Sequence, residues 1–363
     1  MGRHSKIVSI VGARPNFVKL KPIHDILKDE LSHEIIHTGQ HYDYRLSDIF
    51  FKEFDLPEPD YNLDIGSGSP GYQVGEMIQK IERILIKNDY DLALVYGDTN
   101  STFAGAFAAV NSKIKVAHVE AGLRSFDRRM PEEINRILTD NLSDFLFAPT
   151  NTATRNLHNE RILGKIYETG DLSVELISIA KELATKSHIT RDLNLDHKKY
   201  IVFTMHRAEN TVFDESFLSI IKAFKSLSDI RIVFPLHPRT KKTLEQKNLY
   251  HQLENCKNVL IIPPTGYIDF ISLVQNASKI ITDSGGLQKE AYLLSVPCIT
   301  IRRNTEWVET VETGWNVLTD TNAEKIIDHV KGWNPSKKNH SKILGNGDTA
   351  KVIKNIILNE ILA

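Results

Sequence analysis

Residues 96–136 read YGDTNSTFAGAFAAVNSKIKVAHVEAGLRSFDRRMPEEINR. An apolar run from Asp91 to Tyr96 stops at Gly97-Asp98-Thr99. A small-residue, helix-like segment follows from Thr102 to Val110, and a second apolar run, Val116 to Val119, stops at Glu120-Ala121-Gly122. Short apolar runs that alternate with helical segments read as strands of an open parallel sheet. Two acids, Asp98 and Glu120, therefore stand where strands end. An Arg-rich loop then leads into Pro131-Glu132-Glu133, a helix start that adds Glu132. Open parallel sheets bind ligands outside the carboxyl ends of their strands, so the pattern gathers carboxylates at one rim. Acids so gathered repel one another unless cations compensate, and Arg124, Arg128, Arg129 and Arg136 are the candidates. The same acids also fit a plainer role, as helix caps paired with those arginines.

The chain has 363 residues, which suggests two domains. Hydrophobic residues make up 41% and charged residues 25%, the balance of a globular protein that needs no disulfides to hold its core. A formal net charge of −1 supplies no global field for nucleic acid or a membrane surface, so any phosphate site must be local. Cys256 and Cys298 lack metal-ligand spacing and fit a reducing compartment; no metal is expected. The apolar run near the amino end is followed by Arg14 and Pro15 and reads as a strand rather than a signal peptide. No stretch approaches the roughly 18 apolar residues of a membrane span. A cytoplasmic protein is the expectation.

Lys6 to Val11 is a β-branched strand ending at Gly12, with Pro15 at the first turn of a helix. Arg14 and Lys19 lie near that turn. The spacing is not GxGxxG, and no nicotinamide cofactor is expected. Further strands are read at Glu34–His37, Phe145–Ala148 and Ile166–Thr169, for about six in the first half. Residues 56–71 are rich in Pro, Gly and Ser and read as a long surface loop. After a connection near Gly170-Asp171 the alternation restarts, with strands at Tyr200–Thr204, Ile230–Leu236, Val259–Ile262, Lys279–Thr282, Cys298–Ile301 and Trp315–Leu318. Both halves therefore read as doubly wound α/β domains.

The second half carries the phosphate-type signal. Strand Lys279–Thr282, turn Asp283-Ser284-Gly285-Gly286 and a helix from Leu287 place paired glycines and free amides where an anion binds. Glu290 lies one turn further along the same face, where an acid can hold ribose hydroxyls. A capping turn with packing glycines is the alternative. His206-Arg207 ends the strand Tyr200–Thr204 and suits a diphosphate clamp. Phe270, beyond the loop Pro263–Tyr267, suits a flat base or the core of its own helix.

Ten segments in order resemble the non-hydrolysing UDP-N-acetylglucosamine 2-epimerases: GARPNFVKLKPI, HTGQHYD, YGDTNST, HVEAGLRS, MPEEINRILTD, FAPT, TMHRAEN, LHPRTKK, TDSGGLQKEA and TEWVET. The resemblance spans essentially the whole chain. It implies the GT-B fold, two Rossmann-like domains with the active site in the cleft between them. The expected domains are 1–170, carrying the carboxylates, and 171–349, binding UDP, with a helix at about 350–363 packing back on the first. The resemblance implies elimination of UDP to a bound 2-acetamidoglucal and re-addition with opposite configuration at carbon 2. No cofactor is implied, and a homodimer is. It assigns Asp98, Glu120, Glu132 and His206 to the acid-base set, and Arg14, Lys19 and His206 to the neighbourhood of the sugar and diphosphate, with Arg207 of the His206-Arg207 pair remaining a candidate for the diphosphate. Phe270, Ser284, Gly285, Gly286 and Glu290 fall to the UDP site.

One departure bears on the substrate. Many members read TERPE where this chain has Thr305-Glu306-Trp307-Val308-Glu309, so Trp307 replaces an arginine. With QKEA and GWN, that change resembles the branch acting on UDP-2,3-diacetamido-2,3-dideoxyglucuronate. Arg302, Arg303, Arg128 and Arg129 are candidate cations for its carboxylate. The expected function is interconversion of UDP-N-acetylglucosamine and UDP-N-acetylmannosamine for surface polysaccharide synthesis, with that uronate as the alternative substrate. A GT-B glycosyltransferase using a UDP-sugar is the rival from another class, since fold alone does not separate the two.

Overall fold

The computed structural model describes residues 5–39, 53–66, 68–207, 214–336, 338 and 340–362. Its first sheet holds seven strands: β1 (Lys6–Val11), β2 (Ser32–His37), β3 (Tyr61–Asn62), β4 (Leu92–Tyr96), β5 (Lys115–Val119), β6 (Phe145–Ala148) and β7 (Lys165–Glu168). Their order is β3-β2-β1-β4-β5-β6-β7. Six strands form the second sheet: β8 (Tyr200–Thr204), β9 (Arg231–Pro235), β10 (Val259–Ile262), β11 (Lys279–Thr282), β12 (Cys298–Thr300) and β13 (Asn316–Leu318). Their order is β10-β9-β8-β11-β12-β13. Every pairing in both sheets is parallel.

The expected surface loop at 56–71 needs correcting. It contains β3, which pairs Ile36 with Tyr61 and His37 with Asn62 at the sheet edge. Two residues are too few to show a period-2 pattern, so this seventh strand left no trace in the sequence.

The chain divides into two compact units, 1–176 with 342–363, and 177–341. The division falls inside the helix Ser173–Ala184. In the first unit the helix Thr349–Ile356 and the turn Ile357–Ile361 bury Ile353, Ile357 and Ile361. Lys354 of that helix pairs with Glu30 at 2.6 Å, just past the helix Arg14–Leu27.

Each sheet reverses its winding once, between β1 and β4 in the first and between β8 and β11 in the second. Such switch points open a crevice at the carboxyl ends of the two flanking strands. Tyr96 on β4 pairs with Val119 on β5, so Asp98 and Glu120 leave adjacent strands at nearly one level. The helix Asn100–Asn111 packs close beneath them because its inner face is Ala104, Gly105, Ala108 and Ala109. A Cβ at Gly105 would meet Ile10 at 2.9 Å. In the second unit Phe203 sits edge-on to both Phe224 and Phe234 at the centre of the core.

A polar chain crosses β1, β2 and β4. The Ser9 hydroxyl lies 2.7 Å from both His33 Nε2 and the Tyr96 hydroxyl. Burial, aided by the neighbouring His24, pulls His33 down to about 3 from 6.5. Between those two values the unfolded chain binds a proton that the folded chain refuses. Stability therefore rises with pH across that window and is fully present above 6.5. Urea unfolding at pH 7 and at about pH 5 should show His33→Gln losing about 1–2 kcal/mol less on acidification than the parent. Equal losses in the two proteins would remove His33 as the cause.

Candidate active site

Gly12 ends β1, where a Cβ would lie 1.9 Å from Thr38 Oγ1 and 2.1 Å from Ser101 Oγ, so only glycine fits. Asn16 then ties the turn together. Its Oδ1 accepts from the amides of Gly12 and Ala13, and its Nδ2 donates to the Tyr96 carbonyl. This fixes the start of the helix Arg14–Leu27 against the end of β4. The Arg14 side chain lies outside the described residues. Lys19, one turn into that helix, is buried and forms an ion pair with Glu120.

Glu120 itself has φ +73°, a left-handed conformation that few non-glycine residues adopt. Such strain costs about 1–3 kcal/mol and persists only where surroundings over-determine it. Here the Glu120 and Ala121 amides both donate to the Phe147 carbonyl at 3.1 Å, and the Gly97 amide donates to the Val119 carbonyl. A Cβ on Gly97 would lie 2.9 Å from Lys19 Nζ and 3.1 Å from Glu120 Oε2, so the Lys19–Glu120 pair adjoins the Asp98 backbone.

Asp98 keeps 29% of its side chain exposed and is held by Arg136, whose Nη2 lies 2.6 Å from Oδ2. Arg136 is itself buried and carries Glu133 on its other amino group at 2.7 Å. Glu133 also accepts from the Ser125 and Phe126 amides and the Ser125 hydroxyl. Glu132, in the same first helical turn, is half-buried and makes no ion pair among the described residues. It lies four positions before Arg136, on one helix face with it. Asp98, Glu120 and Lys19 are thus brought together directly, and Glu132 joins through the helix of Arg136. Of the other arginines, Arg124 pairs with Asp140 and Glu160, and Arg129 with Asp127. The pair Glu133–Arg136 has i,i+3 spacing, but nothing in PEE says which glutamate turns inward.

The second unit builds a complementary rim. Asp283, fully buried after β11, accepts from the amides of His206 and Arg207 and lies 3.5 Å from His206 Nδ1. One carboxylate thereby fixes the loop after β8 and leaves the His206 side chain half exposed. The sequence showed Asp283 only as part of a turn. Ser284 caps the helix Gly285–Leu293 through the Leu287 amide. Gly285 admits Glu306, since a Cβ there would lie 2.0 Å from Glu306 Oε1. Glu306, buried, pairs with Arg302 at 2.9 Å and lies 3.8 Å from Arg207. Gly286 is exposed at the helix start. The Tyr267 hydroxyl donates to Glu290 Oε1 at 2.9 Å and orients that acid. Phe270, one turn after Tyr267, is partly exposed. Trp307 is buried rather than presented to solvent, with Lys289 Nζ 4.5 Å from its ring centroid. Arg303 pairs with Asp320.

Two wholly parallel, doubly wound sheets, one rimmed by carboxylates and the other by a glycine-opened helix start, define a GT-B-type α/β protein of the kind that handles nucleotide sugars. The family described as UDP-N-acetylglucosamine 2-epimerase matches residues 25–358, and the chain belongs to that family. A Methanococcus maripaludis protein named UDP-N-acetylglucosamine 2-epimerase homolog is 52% identical, the match covering 98% of this chain and 99% of that one. A Pseudomonas aeruginosa UDP-2,3-diacetamido-2,3-dideoxy-D-glucuronate 2-epimerase is 43% identical, over 90% of this chain and 91% of its own. The crystal structure of the Methanocaldococcus jannaschii UDP-GlcNAc 2-epimerase in complex with UDP-GlcNAc and UDP is similar with TM-score 0.92 and 45% identity, covering 97% of this chain and 99% of that one.

Proposed function

We propose that the protein interconverts UDP-N-acetylglucosamine and UDP-N-acetylmannosamine by eliminating and re-adding UDP. The observation that carries this reading is the group Asp98, Glu120 and Glu132 set around Lys19 and Arg136, in a chain of this family. The proton on carbon 2 is not beside a carbonyl, so its simple removal would leave an unstabilised carbanion. If the carbon 1–oxygen bond breaks as the proton leaves, its electron pair departs with UDP and a carbon 1–carbon 2 double bond forms. Re-addition of UDP at carbon 1 with a proton delivered to the other face of carbon 2 gives the epimer. No hydride moves, and no cofactor is required.

In this scheme Asp98, Glu120 and Glu132 are the proton carriers, and Lys19 and Arg14 serve the sugar and diphosphate. His206 and Arg207, with the Ser284 hydroxyl and the amides of Gly285 and Gly286, receive the departing diphosphate, where oriented donors stabilise developing charge. Glu290 takes the ribose and Phe270 the uracil. Buried Trp307, together with the Pseudomonas aeruginosa relative, favours a second substrate, the UDP-diacetamido-dideoxyglucuronate.

Proton NMR in deuterium oxide separates these readings. UDP-N-acetylglucosamine should give UDP-N-acetylmannosamine carrying deuterium at carbon 2. Exchange only with the diacetamido uronate selects the second substrate, and exchange with neither sinks the epimerase reading in favour of sugar transfer. Asp98→Asn should lower turnover by about 10²–10⁴-fold while UDP still binds in calorimetry; near-parental turnover would exclude Asp98 from the chemistry.

We further infer a homodimer. Phe107 and Val110 on the helix Asn100–Asn111, and Ile134 and Leu138 on the adjoining helix Pro131–Leu142, are exposed apolar side chains at helical spacing. A second copy covering that face would remove them from water. Sedimentation should find a dimer that Phe107→Glu with Ile134→Glu converts to monomer; a parent monomer would refute the assignment. Among the described residues no helix is long and apolar enough to cross a membrane. With two free buried cysteines, this supports work in the cytoplasm, where the product would enter surface polysaccharide synthesis. Loss of the gene should then deplete the surface glycan of mannosamine-type sugars, and an unchanged glycan would contradict that role.

A further inference from the structure

His118 lies on β5 with no exposed surface and takes no direct part in the scheme above. Its two ring nitrogens reach in opposite directions. Nε2 is 2.7 Å from the Gly97 carbonyl, and Nδ1 is 2.6 Å from Asp140 Oδ1. A carbonyl oxygen only accepts, so Nε2 carries a proton. Asp140 accepts the Gly122 amide at 3.1 Å on Oδ2 and has Arg124 Nη1 at 2.8 Å. Burial alone would raise its pKa, but His118 and Arg124 hold it below the ordinary carboxylate range. The ring is thus wedged between two oxygens, the Gly97 carbonyl and Asp140 Oδ1. Arg124 passes on to Glu160 through a two-bond fork at 2.8 and 2.7 Å. The row runs His118, Asp140, Arg124, Glu160.

The His118–Asp140 part of this row holds the supports of the carboxylate group. Gly97 precedes Asp98, and Gly122 follows Glu120 by two residues. Asp140 belongs to the helix Pro131–Leu142, which has Glu132 in its first turn and carries Arg136. One imidazole ring with one carboxylate therefore joins the end of β4, the end of β5 and that helix. These three elements bear Asp98, Glu120 and Glu132, and Glu120 among them is held in a strained conformation. We infer that His118 is a positioning residue: its ring, anchored on Asp140, holds the Gly97 carbonyl and thereby sets Asp98 against Glu120. The inference rests on the epimerase reading for its chemistry and on the hydrogen-bond geometry for the clamp.

Two substitutions separate positioning from mere folding. In His118→Gln the side-chain amide can replace Nε2–H toward Gly97. In His118→Asn the amide takes only the place of Nδ1, toward Asp140. Both should lower the melting temperature. The Gln variant should keep deuterium exchange at carbon 2 within about tenfold of the parent. The Asn variant should lose about 10²-fold in kcat, with KM and UDP affinity nearly unchanged, as misplacement of a reacting group by about 1 Å does. Equal kcat in the two variants, or losses confined to KM, would overturn the proposal. Should neither variant fold, nitrogen NMR of the parent with labelled histidine at neutral pH decides. Nε2 of His118 must then show an N–H shift, and a pyridine-like Nε2 overturns the assignment. A parent with no exchange on either substrate would count against the epimerase reading, while the ring signals would still report the clamp.

Discussion

Carboxylates withdrawn from water at the end of a parallel sheet are tolerated only when cations are withdrawn with them, and the first unit is arranged around that requirement. Glu120 has Lys19, Asp98 and Glu133 share Arg136, and Asp140 has Arg124. Most of these cations come from elements other than the one bearing the acid. Lys19 arrives from the helix after β1, and Arg136 from the helix after the Arg-rich loop. Each ion pair therefore also fixes how two elements meet. Breaking a buried pair by removing one partner typically costs about 3–5 kcal/mol, since the other charge stays behind. The arrangement of this rim is thus enforced by electrostatics as much as by apolar packing.

The second unit meets a different demand. Its one fully buried rim acid, Asp283, is consumed by backbone amides of the neighbouring loop, so it does not repel an anion at the helix start. Gly285 lets Glu306 come close, and Glu306 is balanced by Arg302 and Arg207. What remains facing outward at Gly286 is a helix amino end, a local positive potential in a chain of nearly zero net charge. Under the proposed reaction, one rim takes up and returns a proton while the other holds a diphosphate.

Most strands were legible because strands buried on both faces read as β-branched runs, and glycine or an acid marks their ends. β3 was not, because Tyr61-Asn62 is too short to have a pattern. The strand-end acids were legible by position, and Arg136 as one of four candidate arginines, with Arg129 equally near in sequence. The division of labour between those two glutamates was hidden, because adjacent helical residues differ only in the face they take. His118 was hidden for another reason. In Lys115–Val119 an inward histidine looks like any strand residue until its two acceptors, 21 and 22 positions away, are placed beside it. Asp283 was hidden likewise, since the amides it accepts come from the distant loop after β8, and so was the approach of Glu306 to Gly285 and Arg207, although its partner Arg302 is only four residues away.

The helix Arg14–Leu27, which delivers Lys19 to the first rim, rests against the last helix of the chain, and Lys354 reaches Glu30 across 324 residues of sequence. The first unit is therefore discontinuous. On the ribosome its seven strands emerge early, yet the element that covers their first helix leaves the tunnel only after the whole second unit. The intervening unit is continuous and has its full set of partners sooner. Maturation of the lysine-bearing rim consequently waits on synthesis of the second unit, and a transcript that stopped just after that unit would still encode every rim residue but not the helix that closes over their support.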